Sequence, residues 1–209
     1  MKYIKEYNEY IDPFNEEDWN EVEPDGKFLT WLKIKYPDEN KWKDIKEINC
    51  SFQRLTDLIG IEKLINLETL CCNNNQLTEL DVSKNVNLPI LYCFNNQLTE
   101  LDVTKNINLI SLYCFNNQLT ELDLDNNINL LYLSCFHNQL TELDISKNIK
   151  LIRLYCSSNQ LTKLDVTKNV KLKELFCYNN QLTELDLTKN IKLKDLDVGD
   201  NIKLKNIRR

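Results

Sequence analysis

The chain has 209 residues, 42% of them hydrophobic, with only three glycines and four prolines, which excludes a collagenous or linker-like protein. Its net charge of −6 argues against a nucleic-acid or anionic-membrane partner, because such surfaces concentrate Lys and Arg. No run is apolar enough for a signal-peptide core or a bilayer span, so the expectation is cytoplasmic, and the eight cysteines do not read as a disulfide framework.

Residues 1–44 do not repeat. They hold all three tryptophans (Trp19, Trp31 and Trp42) and 7 Lys against 12 Asp plus Glu. Asn15, followed by Glu16, Glu17 and Asp18 before Trp19, has the form of a helix start. Glu23-Pro24-Asp25-Gly26 predicts a turn. From Lys27 to Tyr36 the spacing puts Phe28, Trp31, Leu32 and Lys35 on one helical face, and Pro37 stops the helix. Residues 1–44 therefore read as a small α-helical N-terminal cap whose tryptophans cover an apolar end.

Over residues 45–209 a repeat takes over. An L-x-x-L-x-C-x-x-N/Q-x unit starts at Ile45, Leu67, Leu88, Leu109, Leu130, Leu151 and Leu172. It alternates with relatives of LTELDVSKNVN starting at Leu77, Leu98, Leu119, Leu140, Leu161 and Leu182, which gives a period of 21. The first linking segment, Leu55 to Asn66, is one residue longer and carries Ile61 and Leu64 instead of LDV.

The L-x-x-L-x-C-x-x-N-x-L run resembles the leucine-rich repeat family. The 21-residue form with LDV in its second half looks like the short, nested subclass called IRREKO repeats, and Leu55 to Asn66 is closer to the internalin-like form. The resemblance implies a repeat solenoid over 45–209 whose usual work is protein–protein interaction. Bacterial proteins of this family that act as ubiquitin ligases carry a separate catalytic domain, which has no counterpart here, so the expectation is not an enzyme.

In each half-unit the apolar residues fall at positions 1, 4 and 6, which suits a short strand with inward-turned ends rather than a helix. The predicted fold is mostly β, with short strands on two faces and little helix. Two columns of asparagine, from Asn75 to Asn180 and from Asn85 to Asn190, are expected to turn inward as ladders that bond the backbone of each bend. After Leu182 one LDV unit follows another directly, so the unit at Leu193 occupies the place of a Cys-bearing one. About seven coils at strand spacing predict a block about 35 Å long.

The seven regularly spaced cysteines, Cys50 to Cys177, read as small buried hydrophobes, and no cofactor or metal is expected. Cys71 stands at an outward strand position and reads as a reactive surface thiol. His137 replaces an outward asparagine, and no nucleophile or metal trio accompanies it. The Asp81 to Asp186 column, beside a lysine column, reads as a solvated charged face rather than a calcium site.

The Cys half presents aromatics instead. Tyr92, Tyr113, Tyr155 and Phe176 occupy one outward column, Phe94, Phe115, Phe136 and Tyr178 another, and Tyr132 flanks them. Strand alternation puts these rings outside. An apolar patch over about four coils marks an interaction site. The reading is a non-catalytic recognition module that binds a protein or peptide through this aromatic strand face. Glycan binding by the same stripe, or a structural spacer role, are its alternatives. The opposite charge of the two ends, with +4 over residues 189–209, also suggests weak end-to-end self-association.

Overall fold

The computed structural model describes residues 26–199 and 203–205. The expected helix start at Asn15 to Trp19 and the C-terminal Ile207 lie outside the described residues. Helix α1 spans Phe28–Lys35 and stops before Pro37. Phe28, Trp31 and Leu32 are buried, whereas Lys35 reaches solvent from the last turn. A 3-10 helix, Glu39–Asp44, follows. It buries Trp42, whose indole N–H donates to the Tyr36 carbonyl at 2.7 Å. These side chains belong to one continuous apolar core that extends through the repeats to Leu187.

Among the described residues ten three-residue strands succeed them: β1 (Glu47–Asn49), β2 (Thr69–Cys71), β3 (Ile90–Tyr92), β4 (Ser111–Tyr113), β5 (Tyr132–Ser134), β6 (Arg153–Tyr155), β7 (Glu174–Phe176), β8 (Glu184–Asp186), β9 (Asp195–Asp197) and β10 (Lys203–Lys205). Strands β1 to β7 and then β9 form an eight-stranded parallel sheet. Successive coils pair in register, with Leu70, Leu91, Leu112, Leu133, Leu154 and Leu175 in one buried column. The LDV unit at Leu193 supplies β9, where a Cys-bearing unit would otherwise stand, so the two half-units are interchangeable. On the opposite face, strand pairing among the described residues is limited to β8 with β10. The fold is a parallel β-solenoid with little helix, preceded by α1.

The bends differ in how they use asparagine. In the first column, the Asn96 amide donates to the carbonyls of Cys72 and Cys93, each at 3.0 Å, and its Oδ1 accepts the Leu77 N–H. In the second, the Asn106 amide donates to the carbonyls of Val82 and Asn85. Here the Leu109 N–H bonds the Asn106 backbone carbonyl instead, so Asn106 Oδ1 is left buried without a protein donor. The same arrangement recurs from Asn85 to Asn190. The first bend therefore uses its Asn side chain as donor and acceptor, and the second uses it as a donor.

Cys50, Cys72, Cys93, Cys114, Cys135, Cys156 and Cys177 fill the slot beneath the sheet and are fully buried. Burial pushes their thiols up, to about 12 for Cys135 and Cys177, so none is a nucleophile at neutral pH. Among the described residues no helix is long and apolar enough to cross a membrane.

Candidate functional site

In-register pairing turns each outward strand position into a column of stacked side chains. Tyr92 lies on Tyr113 with ring centroids 4.8 Å apart, and Tyr155 lies on Phe176 at 5.0 Å. Phe94, Phe115 and Phe136 form a second stack at 4.3 Å per step. These distances are close to the strand spacing, so the rings satisfy one another along the solenoid axis, each contact adding about 0.5–1.5 kcal/mol beyond area burial.

Stacking changes what the face presents. Phe94 and Phe115 are only 7% and 6% exposed, so these two do not stand outside as strand alternation predicts. Their faces are occupied by neighbouring rings. Tyr92, Tyr113, Tyr132, Phe136, Tyr155, Phe176 and Tyr178 are partly exposed. Burial pushes the Tyr92 phenol up to about 12, with the neighbouring Tyr113 and Cys71 adding to it. Tyr113 and Tyr178 are raised mainly by burial as well. The tyrosines therefore remain neutral hydrogen-bonding groups across the physiological range.

Small residues in these columns disappear beneath their neighbours. Cys71 is 2% exposed, which corrects its reading as a surface thiol. It is registered between Asn49 and Tyr92, and side chains larger than itself one strand away cover it. Ser134, between Tyr113 and Tyr155, is covered in the same way, as is Ser111 between Ile90 and Tyr132. Alternation gives the side of the sheet, but column neighbours set the exposure.

Toward the C-terminal end of the face, on β5 to β7, lies a polar cluster that the sequence does not single out. The Arg153 guanidinium sits 5.5 Å from the Tyr132 ring centroid and donates from Nε to Glu174 at 2.8 Å. The Tyr155 hydroxyl donates to the other oxygen of Glu174. Registry explains the cluster, since Tyr132, Arg153 and Glu174 occupy one column on β5, β6 and β7.

The charged face has a structural task as well. Asp102 Oδ1 accepts the Thr104 N–H at 2.8 Å and the Thr104 hydroxyl at 2.6 Å, and Asp165 and Asp186 repeat this with Thr167 and Thr188. These aspartates close the turn after each LDV segment. Among the described residues no group of three or more His, Cys, Asp or Glu could hold a metal ion. His137 is exposed and occupies a left-handed backbone position, φ 51°, where Asn116 and Ser158 stand in the adjacent coils.

A second apolar surface was missed altogether. Ile65, Val86, Ile107, Ile128, Ile149, Val170 and Ile191 are 44% to 86% exposed, far more open than the buried phenylalanines. Six of them directly follow an Asn whose amide bonds the preceding coil, and Ile65 follows Leu64, the equivalent carbonyl of the first coil, so the seven form one ridge. The legible signal is the β-branched residue between Asn and Asn or Lys just before each repeat-initial leucine. Beside the ridge runs a groove of about 840 Å³, with Asn87, Pro89, Asn108, Ile110, Asn129 and Leu131 along its middle.

Known structures share this fold. The functional domain of InlJ from Listeria monocytogenes, which includes a cysteine ladder, superposes with a TM-score of 0.69 at 39% identity, over 81% of this chain and 42% of that one. A leucine-rich-repeat protein of Leptospira interrogans gives 0.68 at 25% identity, over 79% and 51%. YopM from Yersinia enterocolitica, at 24% identity and a TM-score of 0.63 over 78% and 38%, shares the fold alone. The chain thus spans about half, or less, of the length of each. No curated protein sequence matches it. The model of the BspA-type leucine-rich repeat region matches residues 34–139 and 90–205, covering most of the chain together with α1's end and all the repeats, and the chain belongs to that family.

Proposed function

We propose that the chain is a non-catalytic recognition module that binds a protein or peptide across the outer face of the eight-stranded sheet. The observation that carries this reading is the band of partly exposed Tyr92, Tyr113, Tyr132, Tyr155 and Phe176 across β3 to β7, with the Arg153–Glu174 pair on β6 and β7. Tyr, Phe and Arg are the side chains in which interface energy concentrates. Phe94, Phe115, Phe136 and Tyr178 form the supporting row and hold the band flat. Solenoids of this family are commonly protein-interaction modules, and their repeats offer extended surfaces suited to the task.

A glycan reading is less well supported by the same geometry. Sugar stacking needs an open ring face, and along these columns ring faces are turned toward one another. Edges and hydroxyls front the solvent instead, which suits a peptide surface.

Affinity capture with the wild type and with the combined Tyr92→Ser, Tyr113→Ser and Phe176→Ser variant tests the proposal. The specific partner is expected to be lost from the variant while far-UV circular dichroism stays unchanged. Undiminished capture by a folded variant would sink the reading.

A further inference from the structure

The ridge opposes no part of the described chain, and it is the most exposed apolar feature of the fold. Its neighbouring columns change chemistry along the solenoid. The residue after each ridge residue is Asn66, Asn87, Asn108 and Asn129 in the first coils, then Lys150, Lys171 and Lys192. Two positions further on, Glu68 opens the column, Pro89, Ile110, Leu131 and Ile152 fill its middle, and Lys173 and Lys194 end it. One end of the strip is therefore basic and its middle apolar. The other end carries Asp44 in the groove, beside a Lys46–Glu68 pair closed at 2.6 Å.

We propose that the ridge and its groove are a self-association surface, on which a second copy of the chain packs side by side and antiparallel about a two-fold axis. Three features select a second copy as the occupant. First, an antiparallel arrangement sets the lysine-rich end of each copy against the Asp44 end of the other, twice, whereas a parallel one lays lysine column on lysine column. Second, both copies carry the same spacing of one branched side chain per coil, so the two ridges run along one another without a mismatch of period. Third, seven coils at strand spacing give a strip about 30 Å long; with the flanking columns, about 20 Å wide, this is roughly 600 Å² per copy, in the range of a weak, reversible dimer.

The two-fold makes a residue-level prediction. Ile128 is the fourth of the seven ridge residues and lies at the axis, so it faces Ile128 of the second copy. Ile65 faces Ile191. Sedimentation velocity of the full chain from micromolar to near-millimolar concentration is expected to show a reversible monomer–dimer equilibrium. Combining Ile128→Lys with Ile149→Lys is expected to weaken it roughly tenfold or more, since each replaces a buried aliphatic contact by a like-charge one. Under mild oxidation Ile128→Cys is expected to link to itself. Ile65→Cys is expected to link to Ile191→Cys in a mixture but not to itself. A monomer at every concentration overturns the proposal, and so does self-linking of Ile65→Cys as fast as Ile128→Cys, which marks parallel packing. A dimer in which Ile128→Cys does not link marks end-to-end stacking and overturns it equally.

Discussion

The eighth position of the Cys-bearing half-unit is a backbone problem with one good side-chain answer. Phe52, Asn74, Asn95, Asn116, His137, Ser158 and Asn179 all have φ between 51° and 60°. In this left-handed region a Cβ crowds the following carbonyl at a cost of roughly 1–2 kcal/mol, which Asn offsets by local hydrogen bonding. The Asn residues add a second gain by linking to one another, with the Asn95 amide on Asn74 Oδ1 and the Asn116 amide on Asn95 Oδ1, both at 2.6 Å. The chain ends at His137, and beyond it Ser158 takes only a 3.5 Å contact from Asn179. Replacing Ser158 by Asn is therefore expected to stabilise the protein by about 0.5–1 kcal/mol, read as a higher urea midpoint at unchanged slope. Ser158→Val, with a branched Cβ in the same backbone, is expected to move the midpoint the other way. The sequence shows the Asn column, and it suggests drift at His137. That every residue of the column is left-handed emerges only from the backbone, because Phe52, His137 and Ser158 share the position with Asn and carry no common signal.

Each coil is two bends and a strand, and the bends are stabilised differently. The LDV bend rests on an aspartate. The Ser83, Thr104 and Thr167 hydroxyls, followed by the N–H groups of the same residues, hold Asp81, Asp102 and Asp165 below the ordinary carboxylate value. For Asp144 the Ser146 N–H comes first and its hydroxyl second. Because the folded values are lowered, the fold favours the ionised form. That stabilisation is complete above the unfolded carboxylate value of about 4 and is lost as pH falls through the lowered ones. The melting temperature should therefore drop on acidification from about pH 5 to pH 2. In a chain carrying Asp102→Asn, Asp144→Asn and Asp165→Asn, the amide oxygen keeps the turn without a titrating group, and the acid slope should be shallower. An unchanged slope would show that these carboxylates do not set the acid limit. Fold class and the helix before the repeats were legible because period and apolar positions alone define them. The aspartate turns were not, since a charged column beside lysines has the same pattern whether it is solvated or bonded to the backbone. The burial of Cys71, Phe94 and Phe115 was hidden for a related reason. It depends on the size of the residue one coil away, 21 or 22 positions along the chain.

At the scale of the whole molecule, stability is a matter of neighbours in one dimension, because each coil touches only the next. The exposed apolar end of such a stack is its weak point, and here Phe28, Trp31, Leu32 and Trp42 cover it. Trp42 is the most committed of the four. It is 2% exposed, donates from its indole to the Tyr36 carbonyl, and carries the Lys63 ammonium 5.2 Å from its ring centroid. Trp42→Ala leaves a large cavity and an unmatched carbonyl at the first coil, at a cost of about 3–5 kcal/mol. In a globular domain that loss would lower every amide's protection together. In this solenoid it should be graded, with native-state hydrogen exchange accelerating most at Ile48 and Leu70 on β1 and β2, and least at Leu154 and Leu175 on β6 and β7. Leu133→Ala, at the middle of the stack, removes a comparable amount of core but should loosen coils on both sides of β5 and leave α1 protected. A uniform fall in protection for both variants would show that the coils unfold as a single unit. The graded result would mean instead that α1 and the following 3-10 helix set where unfolding begins, and so how long the aromatic face at β3 to β7 survives intact.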